Sequence, residues 1–127
     1  MDFYRQTVNE LTRQLYHNSH QTDRAIKARQ FIDRNFNEAL TLASIANAVC
    51  CSPFHLNREF KRHYGQTPTK YLKERRIAEA KRVLASSGSV ADACHEAGYE
   101  SLTSFSMLFR RMTGQNARAI KTARLKK

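Results

Sequence analysis

Residues 56–66, LNREFKRHYGQ, are repeated forty-nine positions later as residues 105–115, FSMLFRRMTGQ. In each copy two apolar residues stand four apart, two basic residues follow, and a Gly-Gln pair closes the pattern. Small residues that end in a tight turn precede both copies, at 45–50 and 93–98. These segments are forty-eight positions apart, one fewer than the copies that follow them. The turn before the second copy is therefore one residue longer. A short helix, a sharp turn and a second helix with a basic outer face describe a helix-turn-helix. The repeat therefore predicts two such motifs, and two copies are too few for a solenoid, which needs about three.

Composition and helix-cap signals predict an all-α fold. The chain has 127 residues, 41% of them hydrophobic, with only four glycines and two prolines, and this size allows one compact unit or two small lobes. Ser52-Pro53 and Thr67-Pro68 are helix starts, because a capping hydroxyl followed by proline suits the first turn. Gly65 and Gly88 are stop signals. We therefore predict a first helix-turn-helix at about 41–64, a long linker helix at about 68–86 and a second helix-turn-helix at about 90–113.

The N-terminal residues 2–17 are predicted to form a separate amphipathic helix. Phe3 or Tyr4, Val8, Leu11 and Leu15 fall on one stripe at helical spacing. The polar stretch 18–22 is predicted to interrupt the helix, so that Thr22 or Asp23 caps another one at about 23–36. The predicted boundaries are thus 1–22 for the N-terminal helix and linker, and 23–127 for the domain that contains both helix-turn-helix motifs. The stripe could fold back onto that domain, pair with a second copy, or be the remnant of a linker.

The positive charge is concentrated in the second half of the chain. The formal net charge is +11 and the sequence pI is about 10.1. Residues 1–54 carry six Lys/Arg and five Asp/Glu, a net of +1, whereas residues 55–127 carry sixteen and six, a net of +10. An excess of this size indicates a polyanionic partner, and nucleic acid is the first expectation. A membrane surface is disfavoured, because Trp is absent and the basic residues are not confined to one amphipathic helix.

The remaining composition indicates a cytoplasmic, non-enzymatic protein. No continuous apolar run resembles a signal peptide or a membrane span. Cys50, Cys51 and Cys94 form a poor disulfide framework and are interpreted as small reduced core residues. No CxxC or HxxxH pair favours a metal, and no cofactor is expected. A Cys51/His55 pair could be imagined as a nucleophile and base, but such pairs need an orienting third group, and the sequence lacks a phosphate-cradling Gly-rich loop.

From Thr41 to about Ile120 the chain resembles the DNA-binding domain of the AraC/XylS family of bacterial transcription regulators. The residues that carry the resemblance are Ser44-Ile45-Ala46, 52–62 (SPFHLNREFKR), Gly65-Gln66-Thr67-Pro68, Tyr71-Leu72, Arg76, Ala80, Gly98-Tyr99-Glu100-Ser101, Phe105, Phe109-Arg110-Arg111 and Gly114. The resemblance implies two helix-turn-helix subdomains joined by the long helix, with each recognition helix in a major groove. A helix of about nineteen residues is about 28 Å long, which is near one turn of B-DNA. The resemblance also implies transcription activation with RNA polymerase as a partner.

In the first recognition helix, which starts at Ser52, the resemblance places Pro53, Phe54, Asn57 and Arg58 at the groove-facing positions. Their chemistry fits base edges, because Arg can donate two hydrogen bonds to guanine, Asn can pair with adenine, and Phe can touch a thymine methyl. Two alternatives stay open from the sequence. Phe54 could instead be a core aromatic, and Arg58 could instead contact a phosphate.

The second recognition helix, at about 101–113, departs from this pattern. Its matching residues are Leu102, Thr103, Ser104, Ser106 and Met107, and Met107 stands where the first copy has Arg58. Because these side chains make weak or less directional base contacts, we expect this reader to select bases loosely or mainly to hold phosphates. The predicted phosphate contacts are Ser52, Lys61, Arg62, Lys70, Arg110 and Arg111, with Lys73, Arg75, Lys81, Arg82 and Arg118 in a wider pool. Arg76 is expected to pack or to form an internal ion pair.

The sequence leaves several alternatives open. A nonspecific or architectural DNA-binding protein is the second functional candidate, since charge alone cannot separate the two. The chain could bind DNA as a monomer or as a dimer through residues 2–17. After Gly114 the resembling family commonly has proline, and this chain has Ala117, so the start of a last helix at about 117–124 is open. Residues 1–40 are too few for the effector domain that most family members carry, which implies a short member or an excised domain.

Overall fold

The computed structural model describes residues 2–86 and 88–120, with the side chains of residue 2 and residues 16–19 excepted. This part of the chain contains helices and no strands, as the sequence predicts. The helices are α1 (Asp2–Asn35), α2 (Leu42–Ala48), α3 (Pro53–Tyr64), α4 (Pro68–Ala85), α5 (Val90–Glu96) and α6 (Leu102–Thr113). Residues 117–120 are also helical, and the remainder of the predicted last helix and the basic tail lie outside the described residues.

The predicted interruption at residues 18–22 is wrong, because α1 is a continuous helix of 34 residues. The stretch contains neither Gly nor Pro, and its polar residues lower helix propensity by only about half a kcal/mol each. Ending and restarting a helix would leave further backbone groups without partners. Asp23 is therefore not a cap but lies inside α1, where it pairs with Lys27 at 2.9 Å. The buried face of this region is formed by Ala25, Ala28 and Ile32.

The described part of the chain divides into two compact units. The first unit comprises the described residues of Met1–Phe31 and Leu42–Pro68, and the second those of Ile32–Thr41 and Thr69–Lys127. Each unit contains one of the two predicted helix-turn-helix motifs.

In the first unit, α2 and α3 pack through the residues that the repeat pattern selects. Ile45 and Ala46 of α2 are buried, as are Leu56 and Phe60 of α3. Helix α3 begins after Ser52, whose side chain accepts a hydrogen bond from the backbone N–H of His55, and it has proline in its first turn. It ends at Gly65, which has φ 77°, a conformation that glycine adopts without steric cost. The predicted start and stop signals are confirmed here.

The turn between α2 and α3 contains an unusual backbone conformation. Cys50 has φ 58° and is the one non-glycine residue with positive φ in the described part of the chain. An L side chain in this region costs about 1–2 kcal/mol. Cys50 is also exposed and Cys51 half-buried, so the interpretation of all three cysteines as core residues is wrong for Cys50. Only Cys94 is buried.

The second unit has the larger apolar core. Phe105 and Phe109 of α6 pack with residues of α4 and α5, among them Leu84 and Cys94. The remaining members of this core are Ile77, Ala80, Val83, Ala93, Ala97 and Ala117. Helix α5 begins with a capping box between Ser89 and Asp92, in which each side chain satisfies a backbone N–H of the other residue.

The last turn of α1 and the segment that follows it are held against α4 within the second unit. The Tyr71 hydroxyl donates to Asp33 Oδ1 at 2.5 Å. Arg76 donates to the backbone oxygens of Phe36 at 2.8 Å and Glu38 at 2.7 Å, and its guanidinium lies 5.2 Å from the ring centre of Tyr99. The prediction that Arg76 packs inside the domain is confirmed. A basic side chain is used here to satisfy carbonyl groups of a chain segment that lacks its own helical partners.

Candidate nucleic-acid interface

The outward face of the first recognition helix, α3, combines aromatic and basic side chains. Phe54 is 66% exposed, and Arg58, Lys61 and Arg62 are exposed on the same side of the helix. Residues four apart lie on one helical face, so Phe54 and Arg58 form one row that Arg62 continues. The alternative that Phe54 is a core aromatic is wrong. Pro53 is exposed next to it, at the first position of the helix.

Asn57 is placed differently from the other predicted readers. The residue is half-buried, and its Oδ1 is shielded from solvent without a hydrogen-bond partner among the described residues. Bidentate pairing with adenine uses both ends of the amide. This geometry therefore does not support the prediction that Asn57 reads adenine. The side chain turns toward the interior because Asn57 follows the buried Leu56, on the border between the inner and outer faces of α3.

His55 occupies the outer face of α3 and was not among the predicted readers. Its Nδ1 lies 2.7 Å from Ser52 Oγ, and its ring meets that of Phe54 edge-on at 5.8 Å between centres. Ser52 Oγ also accepts from the His55 N–H at 3.1 Å. Ser52 is thus a cap that orders the first turn, besides being exposed as a predicted phosphate contact. His55 lies three residues after the capping Ser52, at the spacing where a cap accepts from a backbone N–H. This spacing is the sequence signal that places His55 in the first turn of α3.

The outward face of the second recognition helix, α6, is uncharged over its first two turns. Leu102 is 51% exposed and Met107 62% exposed, and Thr103, Ser104 and Ser106 are exposed with them. Basic side chains begin at Arg110 and Arg111 in the last turn, and both are exposed. All the predicted residues of this reader therefore lie on the surface of the second unit. The uncharged side chains among them can make apolar contacts and hydroxyl hydrogen bonds to the edge of a base. None of these can donate two hydrogen bonds to one base.

Two members of the wider phosphate pool are engaged within the second unit. Arg82 forms an ion pair with Glu79, with 2.6 Å between Nη2 and Oε1, and hydrogen bonding by Arg82 holds the pKa of the Glu79 carboxyl below its usual range. Arg75 lies 3.6 Å from Asp33 Oδ1 and 4.3 Å from the ring centre of Phe36. These contacts reduce the expectation that Arg75 and Arg82 bind DNA. Lys61, Arg62, Lys70, Arg110 and Arg111 are exposed.

A cleft of about 730 Å³ lies in the first unit beside the basic face of α3. Its lining includes Arg24 of α1, Cys51 of the turn, and His55, Arg58 and Arg62 of α3. Burial raises the pKa of the Cys51 thiol, which opposes the thiolate that nucleophilic chemistry requires. The cleft therefore has the character of a basic surface groove. Among the residues that the structure describes, no three His, Cys, Asp or Glu side chains are grouped as metal ligands.

The apolar stripe of α1 does not fold back onto the described part of the domain. Phe3 is 82% exposed, and Tyr4, Leu11 and Leu15 are exposed along the same stripe. The fold-back alternative is therefore wrong. In residues 2–86 and 88–120, no helix is both long and apolar enough to span a membrane.

Each of the two units has a second helix that is capped by a serine at its start and by a glycine at its end. This arrangement defines the chain as a helix-turn-helix protein. Residues 45–123 match the helix-turn-helix domain family, and the chain belongs to this family in its AraC type. Its similarity to the C-terminal domain of AraT, a response regulator from Geobacillus stearothermophilus, has a TM-score of 0.76 at 27% identity and covers 80% of this chain and 85% of that domain.

Two relatives are activators by name. The chain is 36% identical over 87 residues to the bifunctional transcriptional activator/DNA repair enzyme AdaA of Bacillus subtilis, which covers 68% of this chain and 41% of AdaA. It is 34% identical over 95 residues to the transcriptional activator RhaS of Escherichia fergusonii, covering 74% of this chain and 34% of RhaS. The chain thus spans well under half of these relatives, and the repair activity in the name of AdaA is not carried over to it.

Proposed function

We propose that this chain is a sequence-specific double-stranded DNA-binding transcription regulator that acts as an activator with RNA polymerase. In this proposal α3 and α6 enter successive major grooves. The observation that carries it is the outward face of α3, where Arg58 is exposed with Phe54 one turn before it and Arg62 one turn after it. An Arg that donates to guanine O6 and N7 reads sequence, whereas flanking basic residues on phosphates set position.

The two recognition helices have different roles in this proposal. Helix α3 selects bases through Arg58 and Phe54, with Pro53 and His55 beside them. Helix α6 contacts bases loosely through Leu102, Thr103, Ser104, Ser106 and Met107. It positions the duplex through Arg110 and Arg111, as Ser52, Lys61, Arg62 and Lys70 do for the rest of the interface. The absence of a bidentate donor among the exposed residues in the first two turns of α6 supports this division.

A nonspecific or architectural DNA-binding protein is the second candidate. The net charge of +11 and the uncharged outer face of α6 favour it, because phosphate contacts alone give affinity without sequence preference. The two candidates differ in what happens when the sequence of the duplex is scrambled. A specific regulator loses affinity on scrambling, and an architectural protein does not.

The test is selection of bound duplexes from a random pool at about 150 mM salt, where nonspecific electrostatic binding is weakened. We expect two groups of enriched base pairs in the selected duplexes, a strongly enriched one (the strong block) and a weakly enriched one (the weak block). Their centres should lie about one helical turn apart. Enrichment of no sequence would reject the specific regulator in favour of the architectural protein.

A pair of substitutions at equivalent positions assigns the reading to a side chain. Arg58→Ala is expected to relax base preference at one position of the strong block and to weaken binding of the selected duplex by about 1–3 kcal/mol. Met107→Ala should have a much smaller effect. If Arg58→Ala weakened selected and scrambled duplexes equally, Arg58 would be a phosphate contact instead.

Activation and stoichiometry need their own measurements. On a template with the selected motif upstream of a promoter, we expect the protein to increase transcription by purified RNA polymerase, and a decrease would indicate a repressor. The mass of the protein bound to the selected duplex then distinguishes a monomer from a dimer. If it is a dimer, replacing the exposed Leu11 and Leu15 of α1 by serine should return it to one chain per duplex.

A further inference from the structure

The first recognition helix contains one charged side chain that is buried. Glu59 of α3 has only 5% of its side chain exposed, and it is the one buried charged residue in the part of the chain that the structure describes. Arg24 of α1 meets it with two donors, since Nε donates to Oε2 at 3.0 Å and Nη2 donates to Oε1. Two parallel hydrogen bonds fix the orientation as well as the separation of the two groups. The hydrogen bond to Glu59 also raises the pKa of Arg24.

Along α1, Arg24 lies between two other residues that contact α3 within the first unit. Arg62 Nη1 lies 3.4 Å from Gln21 Oε1 on one side of it. On the other side, the Arg29 guanidinium lies 5.2 Å from the ring centre of Tyr64. The partners of these three residues do not follow the same order on α3, because Glu59 precedes both Arg62 and Tyr64 in that helix. Because Glu59 directly follows Arg58 in the helix, holding Glu59 also fixes the direction in which the Cα–Cβ bond of Arg58 leaves the helix.

An ion pair of this kind contributes more to geometry than to stability. Removing two charges from water offsets much of their attraction, so a buried pair is weak evidence for stability, although loss of one partner is costly. Polar pairs inside a core can instead select a single arrangement of helices. The second unit has Leu108 at the position equivalent to Glu59, and Leu108 packs against the apolar core there. The buried carboxylate with its ion pair is therefore present in α3, which carries Arg58, and absent from α6.

We infer that Arg24 is a positioning residue for the first recognition helix: through Glu59 it fixes the rotation of α3 against α1, so that Phe54 and Arg58 face the base edges. The inference rests on the proposed function, because it explains how that reading face is held. It assigns a role in sequence discrimination to a helix outside the helix-turn-helix motif. Arg24 does so without a DNA contact of its own.

The test compares Arg24→Ala with Lys27→Ala in the full chain. Lys27 is a matched control, because it lies on the same helix, carries the same charge and forms an exposed pair with Asp23 at 2.9 Å. Binding is measured on the selected duplex and on a scrambled duplex at about 150 mM salt. We expect Arg24→Ala to weaken binding to the selected duplex by about tenfold or more, a typical size for a coupled buried pair. Binding to the scrambled duplex should match that of Lys27→Ala within about twofold.

A second set of variants separates positioning from folding. Arg24→Lys keeps the charge but loses the paired donors, so it should give an intermediate loss of discrimination. Glu59→Gln should cost about as much specific affinity as Arg24→Ala, and the double variant should lose no more than either single variant, since all three break one interaction. Thermal midpoints are recorded for every variant, and binding is measured well below the lowest of them. If Arg24→Ala does not fold, Arg24→Lys and Glu59→Gln decide the question.

Base selection by the variants gives the decisive readout. For Arg24→Ala we expect a weaker base preference in the strong block, which α3 selects. The base preference in the weak block should not change, because α6 has no such ion pair. The inference is overturned if Arg24→Ala lowers the thermal midpoint but leaves both blocks intact, or if it weakens all duplexes as Lys27→Ala does. Failure of the wild-type chain to enrich any sequence would instead reject the proposed function, which keeps the two failures distinct.

Discussion

The two helix-turn-helix units bury equivalent residues and expose different ones. At an offset of forty-nine, Leu56 and Phe60 correspond to Phe105 and Phe109, and all four are buried. The recognition helices begin at Ser52 and Ser101 and end at Gly65 and Gly114, whose φ angles are 77° and 76°. By contrast, the exposed Arg58 corresponds to the exposed Met107. Packing and caps therefore constrain the scaffold, whereas the outer face is free to differ in chemistry.

The turns before the recognition helices show a second difference between the units. Cys50 in the first turn and Gly98 in the second both have positive φ, at 58° and 91°. A Cβ built on Gly98 would lie 2.7 Å from the Cα of Asn37, within the second unit. Glycine is thus required there by a close backbone approach as well as by its dihedral angle. In the first unit the same turn tolerates a side chain, because Cys50 is exposed.

The largest expected effect is on stability at Gly98. Gly98→Ala should destabilise the protein by about 3–5 kcal/mol, because backbone overlap adds to the cost of an L residue at positive φ. Gly114→Ala is the matched control, since it has a similar φ with no atom within 4 Å of the added Cβ, and it should cost about 1 kcal/mol. Urea unfolding measures both. Equal losses would show that the close approach to Asn37 does not matter energetically.

The next effect concerns base selection by α6. Met107→Arg should add a guanine preference to the weak block and strengthen binding to guanine-containing sites by about 1–3 kcal/mol, since it places a bidentate donor at the position of Arg58. Repeating the selection from the random pool measures this change. Met112→Arg is the control, because it adds the same charge to an exposed position near the end of α6. It should strengthen all sequences alike, and an identical result for both variants would contradict the equivalence of the two faces.

A smaller effect is expected at Cys50. Cys50→Gly should stabilise the first unit by about 0.5–1 kcal/mol, because relief of strain at positive φ exceeds the added flexibility of the unfolded chain. Cys50→Ala keeps the Cβ and should leave the unfolding free energy nearly unchanged. If both substitutions had the same effect in urea unfolding, the strain at this turn would be negligible.

The smallest effect concerns the ion pair between the exposed Arg82 and the half-buried Glu79 of the second unit. The pKa of Glu79 is lowered by its hydrogen bond from Arg82, so the folded state favours the charged carboxylate. Its stabilisation should be complete above about pH 4–5, the unfolded range for Glu, and should disappear as the pH falls through the folded pKa. Glu79→Gln should therefore lower the thermal midpoint slightly at pH 7 and by less at pH 3. A difference that persists unchanged at pH 3 would point to a role that does not depend on charge.

The fold was largely predictable because its signals are local in sequence. Caps such as Ser52-Pro53 and stops such as Gly65 and Gly114 act within a few residues, and the structure has the helix ends close to those positions. The predicted break at 18–22 failed because polar residues only weaken a helix, whereas Gly and Pro end it. Loop-like composition was mistaken for a boundary.

The candidate interface was predictable by position but not by side-chain direction. The repeat locates Phe54, Arg58 and Met107 on the recognition helices, and all three are exposed. The half-buried position of Asn57 could not be predicted, because matching a position does not reveal how far a side chain is turned toward the interior. The pair of Arg24 and Glu59 was missed because 35 residues separate its members, and no local pattern identifies such a partner.

The position of Cys50 also makes the protein chemically addressable at one site. Burial raises the pKa values of the Cys51 and Cys94 thiols, which reduces the thiolate available to an alkylating reagent at neutral pH. The exposed Cys50 should therefore react first with a maleimide dye. Because it lies two residues before the cap of α3, a dye attached there would stand beside the first reading face and report by its emission when that face is covered.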